Sequence, residues 1–390
     1  MLRDRPYFPA LLIVAILAAG MAAVQVWAVA SGKGVVYVSR NAFGSDYQAF
    51  YDATQKLRAG ESPYQLPRYV TPPLPAMANY PLALLPFGQA AWVVAALTIA
   101  AMLASYGLST AALFRLGTAD GKRVLALGVA VLALSYPFYF LVVRGNIDAF
   151  VLVLMCGGLC LSEKRPVLAG VCIALAAAMK VYPLLLLAPL LIRRKHRAAV
   201  STVAVFAVLV AIAPRLWLEA GSRLLWRASC FEMSENASIF CAFRFIGEAA
   251  RGLGLALGHG AWRWAALVAF GALLLLSLWA DWLKRGRRDP AEAQVLALMY
   301  FPFMVALPEL TFHYSLVVLL PLIPAVAFLW GRRPGPRATR ILLLVAIGIA
   351  LSQSQAEAFA RLAGNVVPHS LPGLGLLATL VGCTWYKVRC

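Results

Sequence analysis

The chain is built from apolar runs of about 17 to 25 residues, the length a helix needs to cross the hydrocarbon core of a bilayer. Such runs occupy residues 8–30, 90–114, 124–143, 146–162, 198–213, 262–283, 291–307, 312–330, 339–356 and 371–386. With 62% hydrophobic and 13% charged residues, no stretch is polar enough to form a large soluble domain. The expected fold class is an all-α polytopic membrane protein, a single integral membrane domain over residues 1–390.

The formal charge of +19 does not read as a nucleic-acid footprint, because the basic residues sit in short clusters between the apolar runs. These include "RRKHR" at 193–197, "KRGRR" at 284–288 and "RRPGPRATR" at 332–340. The stretch 166–192 is interrupted at "MKVYP" and reads as two short helices meeting there, each crossing the membrane. With a cytoplasmic N-terminus this predicts about 12 transmembrane helices, in a range of roughly 10 to 13, with every dense basic cluster on the cytoplasmic side. The first run, at 23 residues, exceeds the apolar core of a secretory signal and reads as an uncleaved anchor. The partner so implied is the lipid bilayer, not nucleic acid, and the expected location is a bacterial plasma membrane. Cys230 and Cys241 flank an external loop, and whether they pair is left open by spacing alone.

The informative polar segments lie outside the membrane in this topology: the loop 31–89, the loop 214–261, and short turns at 144–148 and 307–313. In the first, "SDYQAFYDATQKLRAG" predicts a short helix with Ser45 as N-cap and Gly60 as C-cap. Tyr47, Phe50, Tyr51, Thr54 and Leu57 recur at three- and four-residue steps, so this helix is expected to lie flat on the membrane by an aromatic face. The proline-rich sequence that follows is expected to return as an extended strap.

Asp46 is the leading catalytic candidate, a carboxylate in the first turn of that helix; a plain capping role would place it there too. Lys180, in "AAAMKVYPLLLLAP", is costly among apolar neighbours unless it meets an anion or reaches water by snorkelling. "VRGNIDAF" puts Arg144, Asn146 and Asp148 in a tight turn suited to a phosphate, a sugar or simply a capped connection. Glu309 and His313 stand four apart in "LPELTFHYS", on one face if helical. No metal-ligand set, nucleotide-binding loop or Ser-His-Asp pattern is read, and no cofactor is expected.

Several of these segments resemble glycosyltransferase family 87, the polyprenyl-phosphate-mannose-dependent enzymes. They are "SDYQAFYDATQKLRAGESPY", "RGNIDAFVLVLMCGGL", "LAGVCIALAAAMKVYPLLLLAPLLIRRK", "ENASIF" and "FHYSLVVLLP", over roughly residues 40–325. Departures from the family pattern are Ile147-Asp148 after Asn146, Val181 after Lys180, and "LPELTF" before His313. The resemblance implies a GT-C glycosyltransferase fold with its active site on the external, periplasmic face. It implies transfer of a sugar, mannose first among them, from a polyprenyl-phosphate donor to a lipid or glycan acceptor. It also implies Asp46 as general base, Lys180, Arg144 and His313 at the donor phosphate, and Tyr47, Tyr51, Tyr64, Asn146, Asn236, Ser238 and Glu309 around the substrate. A transporter or flippase of lipid-linked glycans and a non-catalytic assembly subunit are the alternatives; the first would place charges at mid-membrane and the second would leave Asp46 dispensable.

Overall fold

A computed structural model describes residues 43–114, 118–226, 259–284, 290–306, 313–332 and 371–389, with scattered helical residues near 240–250 and 344–348. The first run, the cysteines Cys230 and Cys241, "ENAS" at 235–238, Glu309 and the run 339–356, but for its scattered helical residues, lie outside them. Every regular element among the described residues is helical. In chain order the first are α1 (Ser45–Arg58), α2 (Leu74–Ala78), α3 (Phe87–Leu113), α4 (Ala119–Leu134), α5 (Tyr136–Arg144) and α6 (Asp148–Leu161). They are followed by α7 (Pro166–Met179), α8 (Leu187–Ile192), α9 (His196–Ile212), α10 (Pro214–Trp226) and α11 (His259–Leu283). Further on lie α12 (Pro290–Leu298), α13 (Phe301–Ala306), α14 (Leu322–Arg332) and α15 (Leu371–Arg389).

Two of these, Phe87–Leu113 and Ala261–Leu283, are long and apolar enough to cross a membrane on their own, with mean hydropathies of 1.8 and 1.9. Both coincide with runs read from the sequence. The count rises to at most four if bent helix pairs are single spans, so the described residues support a membrane protein without reaching the expected number of crossings. On α11, Trp264 is 68% exposed and Trp282 51% exposed. Eighteen residues of helix separate them, about 27 Å, which matches the spacing of interfacial aromatic residues across a hydrocarbon core.

The chain divides into two compact units. One comprises 37–108 and 139–229 and holds α1, α2, most of α3, and α6 to α10. Its centre is α7, packed against α6 and α9. The reason is small side chains: Ala169, Ala174, Ala176, Ala177 and Ala178 are fully buried. A Cβ on Gly158 would fall 2.7 Å from Ile173, and one on Gly170 would fall 2.6 Å from the Ala198 carbonyl. In a membrane, where lipid is as apolar as the side chains, such close packing is what holds helices together. α7 ends at Lys180, whose backbone is extended (φ −145, ψ 133), and a 3-10 turn, Tyr182–Leu186, leads into α8. The expected meeting of two short helices is therefore present, set by Pro183, which cannot continue the i to i−4 ladder. At 14 residues α7 is about 21 Å long.

The aromatic face of α1 does not rest on lipid. Tyr47, Phe50 and Ala53 are buried in one cluster with Tyr64, Tyr69, Ala76, Ala90, Ala91 and Val94. The covering chain is the proline-rich return, which is not an extended strap: it forms the turns Pro63–Gln65 and Leu82–Leu84 and the short helix α2. Proline at the first positions of a helical turn loses only an N–H that would lack a partner anyway. Beyond it, α9 and the first part of α10, Pro214–Arg223, meet at a bend of 99°. α10 is fastened over the α1 region by a Ser62–Glu219 hydrogen bond and by Arg223 Nη2 donating to the Tyr64 carbonyl at 2.8 Å.

The other unit comprises 1–36, 109–138 and 230–390. In it α11 packs along α15. Lys387 and Asp281 are buried as an ion pair at 3.3 Å, with the Tyr300 hydroxyl donating to the same carboxylate oxygen at 2.8 Å. The ammonium also lies over the Tyr300 ring, 3.1 Å from its centroid.

Candidate active site

Asp46 stands in the first turn of α1, though not behind the expected cap. The N-cap is Gly44, in the left-handed region (φ 72, ψ 16), and Ser45 is the first helical residue. Gly44 donates its N–H to the Val143 carbonyl at 2.7 Å, which ties the start of α1 to the end of α5. The next turn is built the same way. Gly145 has φ +67, and a Cβ there would lie 2.8 Å from the Cβ of Tyr47. The Gly44–Val143 hydrogen bond and the close approach of Gly145 to Tyr47, which a Cβ at 145 would obstruct, thus hold the start of α1 against the α5–α6 turn.

That contact brings four of the sequence-predicted residues together. Arg144 donates from Nε and Nη2 to Asp46 Oδ1 at 2.9 and 2.6 Å. Asn146 Nδ2 donates to Asp46 Oδ2 at 2.8 Å. Asn146 Oδ1 in turn accepts from the Asp148 N–H at 3.2 Å and from Lys180 Nζ at 3.4 Å. Lys180 closes the row with an ion pair to Asp148 Oδ1 at 2.6 Å. The side chains of Asp46, Arg144 and Lys180 are 15, 23 and 20% exposed, whereas Asp148 is sealed at 0%. The row therefore has an open side, bearing one carboxylate and two cations, and a closed side ending in Asp148.

A carboxylate offers about four lone-pair positions. At Asp46, Oδ1 accepts twice from Arg144, and Oδ2 accepts once, from Asn146, among the described residues. These bonds leave one acceptor position on Oδ2 over. The guanidinium of Arg144 is itself supported by the Phe140 ring, with its central carbon 5.1 Å from the ring centroid.

Tyr47, Tyr51 and Tyr64 belong to the aromatic cluster on the packed side of α1. Tyr47 donates to Asn79 Oδ1 at 3.0 Å, Tyr51 to the Leu85 carbonyl at 2.8 Å and Tyr64 to the Thr71 carbonyl at 2.9 Å. Burial pushes the Tyr47 phenol up to about 12, and burial likewise raises Tyr64 and Tyr69, so all three stay neutral donors. His313 opens the 3-10 segment His313–Leu319 of the other unit. Asn236, Ser238 and Glu309 fall outside the described residues.

A family model of glycosyltransferase family 87 matches residues 69–308, more than half of the chain. The chain belongs to glycosyltransferase family 87. It is a membrane glycosyltransferase, an enzyme that uses a sugar donor and an acceptor. Within the matched stretch lie Arg144, Asn146, Asp148 and Lys180; Asp46, Tyr47, Tyr51 and Tyr64 precede it, and Glu309 and His313 follow it. The row thus joins a part of the chain inside the family match to the α1 carboxylate outside it.

Sequence reasoning placed Asp148 in the turn with Arg144 and Asn146 but gave it no role of its own, and it missed Tyr182, whose hydroxyl donates to Asp148 Oδ1 at 3.0 Å. A signal for Asp148 exists. A lysine set in an apolar stretch needs a counter-ion, and Asp148 is a carboxylate in the other site-bearing turn. For Tyr182 the sequence carries no such signal, because a tyrosine beside a proline suits any helix break.

Proposed function

We propose that this glycosyltransferase moves a sugar, mannose first among the candidates, from a polyprenyl-phosphate donor to a lipid or glycan acceptor on the external face of a bacterial plasma membrane. The observation that carries the reading is the half-open row in which Asp46 stands beside Arg144, with Lys180 beyond Asn146. A phosphate-linked sugar brings its own leaving group, so the protein has two tasks, to take a proton and to steady a departing phosphate.

In the proposed single displacement the acceptor hydroxyl oxygen attacks the anomeric carbon and its proton passes to Asp46 Oδ2. The bond from that carbon to the phosphate oxygen breaks, and its electron pair leaves with polyprenyl phosphate. Attack opposite to departure inverts the centre, so a β-linked donor yields an α-linked product. Arg144 orients Asp46, and Arg144 and Lys180 face the charge that develops on the phosphate, where fixed charges in a partly dry site act most strongly. His313, together with Tyr51, Asn146, Asn236, Ser238 and Glu309, belongs to the same proposal as donor or acceptor contacts, with Tyr47 and Tyr64, both buried, as support behind them.

The test is transfer of radiolabelled mannose from synthetic polyprenyl-phosphate mannose to a membrane lipid extract by purified wild type and Asp46→Asn. General-base catalysis is worth about 10²–10⁴-fold, so a loss of that size with donor binding retained is expected. Equal transfer by both proteins removes Asp46 from the chemistry. No turnover by either refutes this donor and returns weight to another sugar carrier or to a transporter.

A further inference from the structure

Both cations of the site are already matched by carboxylates, Arg144 by Asp46 and Lys180 by Asp148. The four side chains together carry no net charge, which is an unusual way to build a phosphate cradle unless weak holding is useful. The donor proposed above is a phosphodiester with one negative charge. What remains after transfer is a phosphomonoester, which carries roughly −1.5 to −2 at neutral pH. A cradle with two uncompensated cations would therefore hold its product more tightly than its donor, and release would limit turnover.

Resting on that donor reading, we infer that Asp148 is a positioning residue that acts through Lys180 to loosen the site's grip on polyprenyl phosphate and so permit its release. Asp148 is wholly buried and does not reach the open side of the row. Its Oδ1 holds Lys180 Nζ at 2.6 Å while the Tyr182 hydroxyl donates to the same oxygen at 3.0 Å. Lys180 sits on an extended residue between α7 and the 3-10 turn, and its side chain is 20% exposed. Its ammonium is thus shared between a fixed internal anion and whatever anion arrives from outside. Tyr182 tunes the sharing: by donating to Asp148 it takes up part of that carboxylate's capacity to hold the lysine.

The experiment measures the affinity of the purified full chain for a synthetic short-chain polyprenyl phosphate, and for the sugar-bearing donor, in wild type, Asp148→Asn, Asp148→Glu and Tyr182→Phe. The readout is the ratio of product to donor affinity, which general damage to the site does not move. Removing a unit charge about 7 Å from the phosphate, at an effective dielectric of roughly 20 to 40, is worth about tenfold or more for each phosphate charge. Asp148→Asn is expected to bind the product at least about tenfold tighter, to raise the ratio and to turn over more slowly. Asp148→Glu, which keeps the charge, restores the ratio toward wild type.

Product binding in Asp148→Asn that is unchanged or weaker overturns the inference. Tyr182→Phe shifts the ratio the opposite way, and it decides the matter if Asp148→Asn does not fold: a ratio unchanged or raised in Tyr182→Phe then overturns the proposal. Wild type that neither binds nor uses the polyprenyl-phosphate donor refutes the donor reading itself, together with this inference. Wild-type turnover with an unmoved ratio in the variants refutes the role of Asp148 alone.

Discussion

A single methyl group at Gly145 tests whether the close approach of this turn to Tyr47 of α1 is what holds the site in register. Gly145 has φ +67, and a Cβ built there meets the Cβ of Tyr47 at 2.8 Å. The left-handed backbone costs an alanine about 1–2 kcal/mol. Overlap adds roughly 1–3 kcal/mol, as in overpacked cores, because Tyr47 is 2% exposed and held by Asn79. Gly145→Ala is therefore expected to lose roughly 2–5 kcal/mol of stability. It should also push the start of α1 off the turn that presents Arg144 and Asn146. A displacement of about 1 Å at a reacting group costs on the order of 10²-fold in rate. Gly60 is the control. It has the same sign of φ, +75, and nothing within 4 Å of its Cβ, so Gly60→Ala carries the backbone cost without the overlap. Thermal unfolding in detergent and the mannose-transfer assay, run on both variants at matched folded fraction, separate the two effects. The reasoning fails if Gly145→Ala unfolds no earlier than Gly60→Ala, or if it transfers sugar at the wild-type rate.

Asn146→Asp replaces the amide that donates to Asp46 Oδ2 at 2.8 Å with a second carboxylate. Transfer per folded protein should fall by at least about 10²-fold, and a rate within threefold of wild type, by the same assay, would remove Asn146 from the site. In the other unit, Lys387→Met leaves Asp281 buried without its counter-ion and is expected to cost about 3–5 kcal/mol. Replacing both partners with apolar residues should recover much of that loss, and a single variant as stable as the double one in thermal unfolding would count against a buried ion pair.

The membrane character, the helical class and the break between α7 and α8 were legible in the sequence because each depends on a local property. Apolar transfer energy adds along a run of residues, and a proline interrupts a helix wherever it stands. Asp46, Arg144, Asn146 and Lys180 could be singled out one by one for a similar reason, since polar residues among apolar ones are costly and few. Their arrangement could not. Asp46 and Arg144 are 98 residues apart, and Lys180 and Asn146 are 34 apart. Nothing in either segment specifies the other.

Tertiary structure also decided what covers the aromatic face of α1. Periodicity shows that such a face exists and is silent on whether lipid or protein fills it; here the folded-back proline turns and α3 fill it. The Gly44 and Gly145 contacts then set the row, because a Cβ at 145 would meet Tyr47 before α1 could bring its carboxylate against the α5–α6 turn. Read alone, the residues establish a helical membrane chain and the few ionisable groups set among its apolar runs. Close packing decided which carboxylate meets which cation, because charge pairing across tens of residues is a property of the folded surface and not of any local stretch.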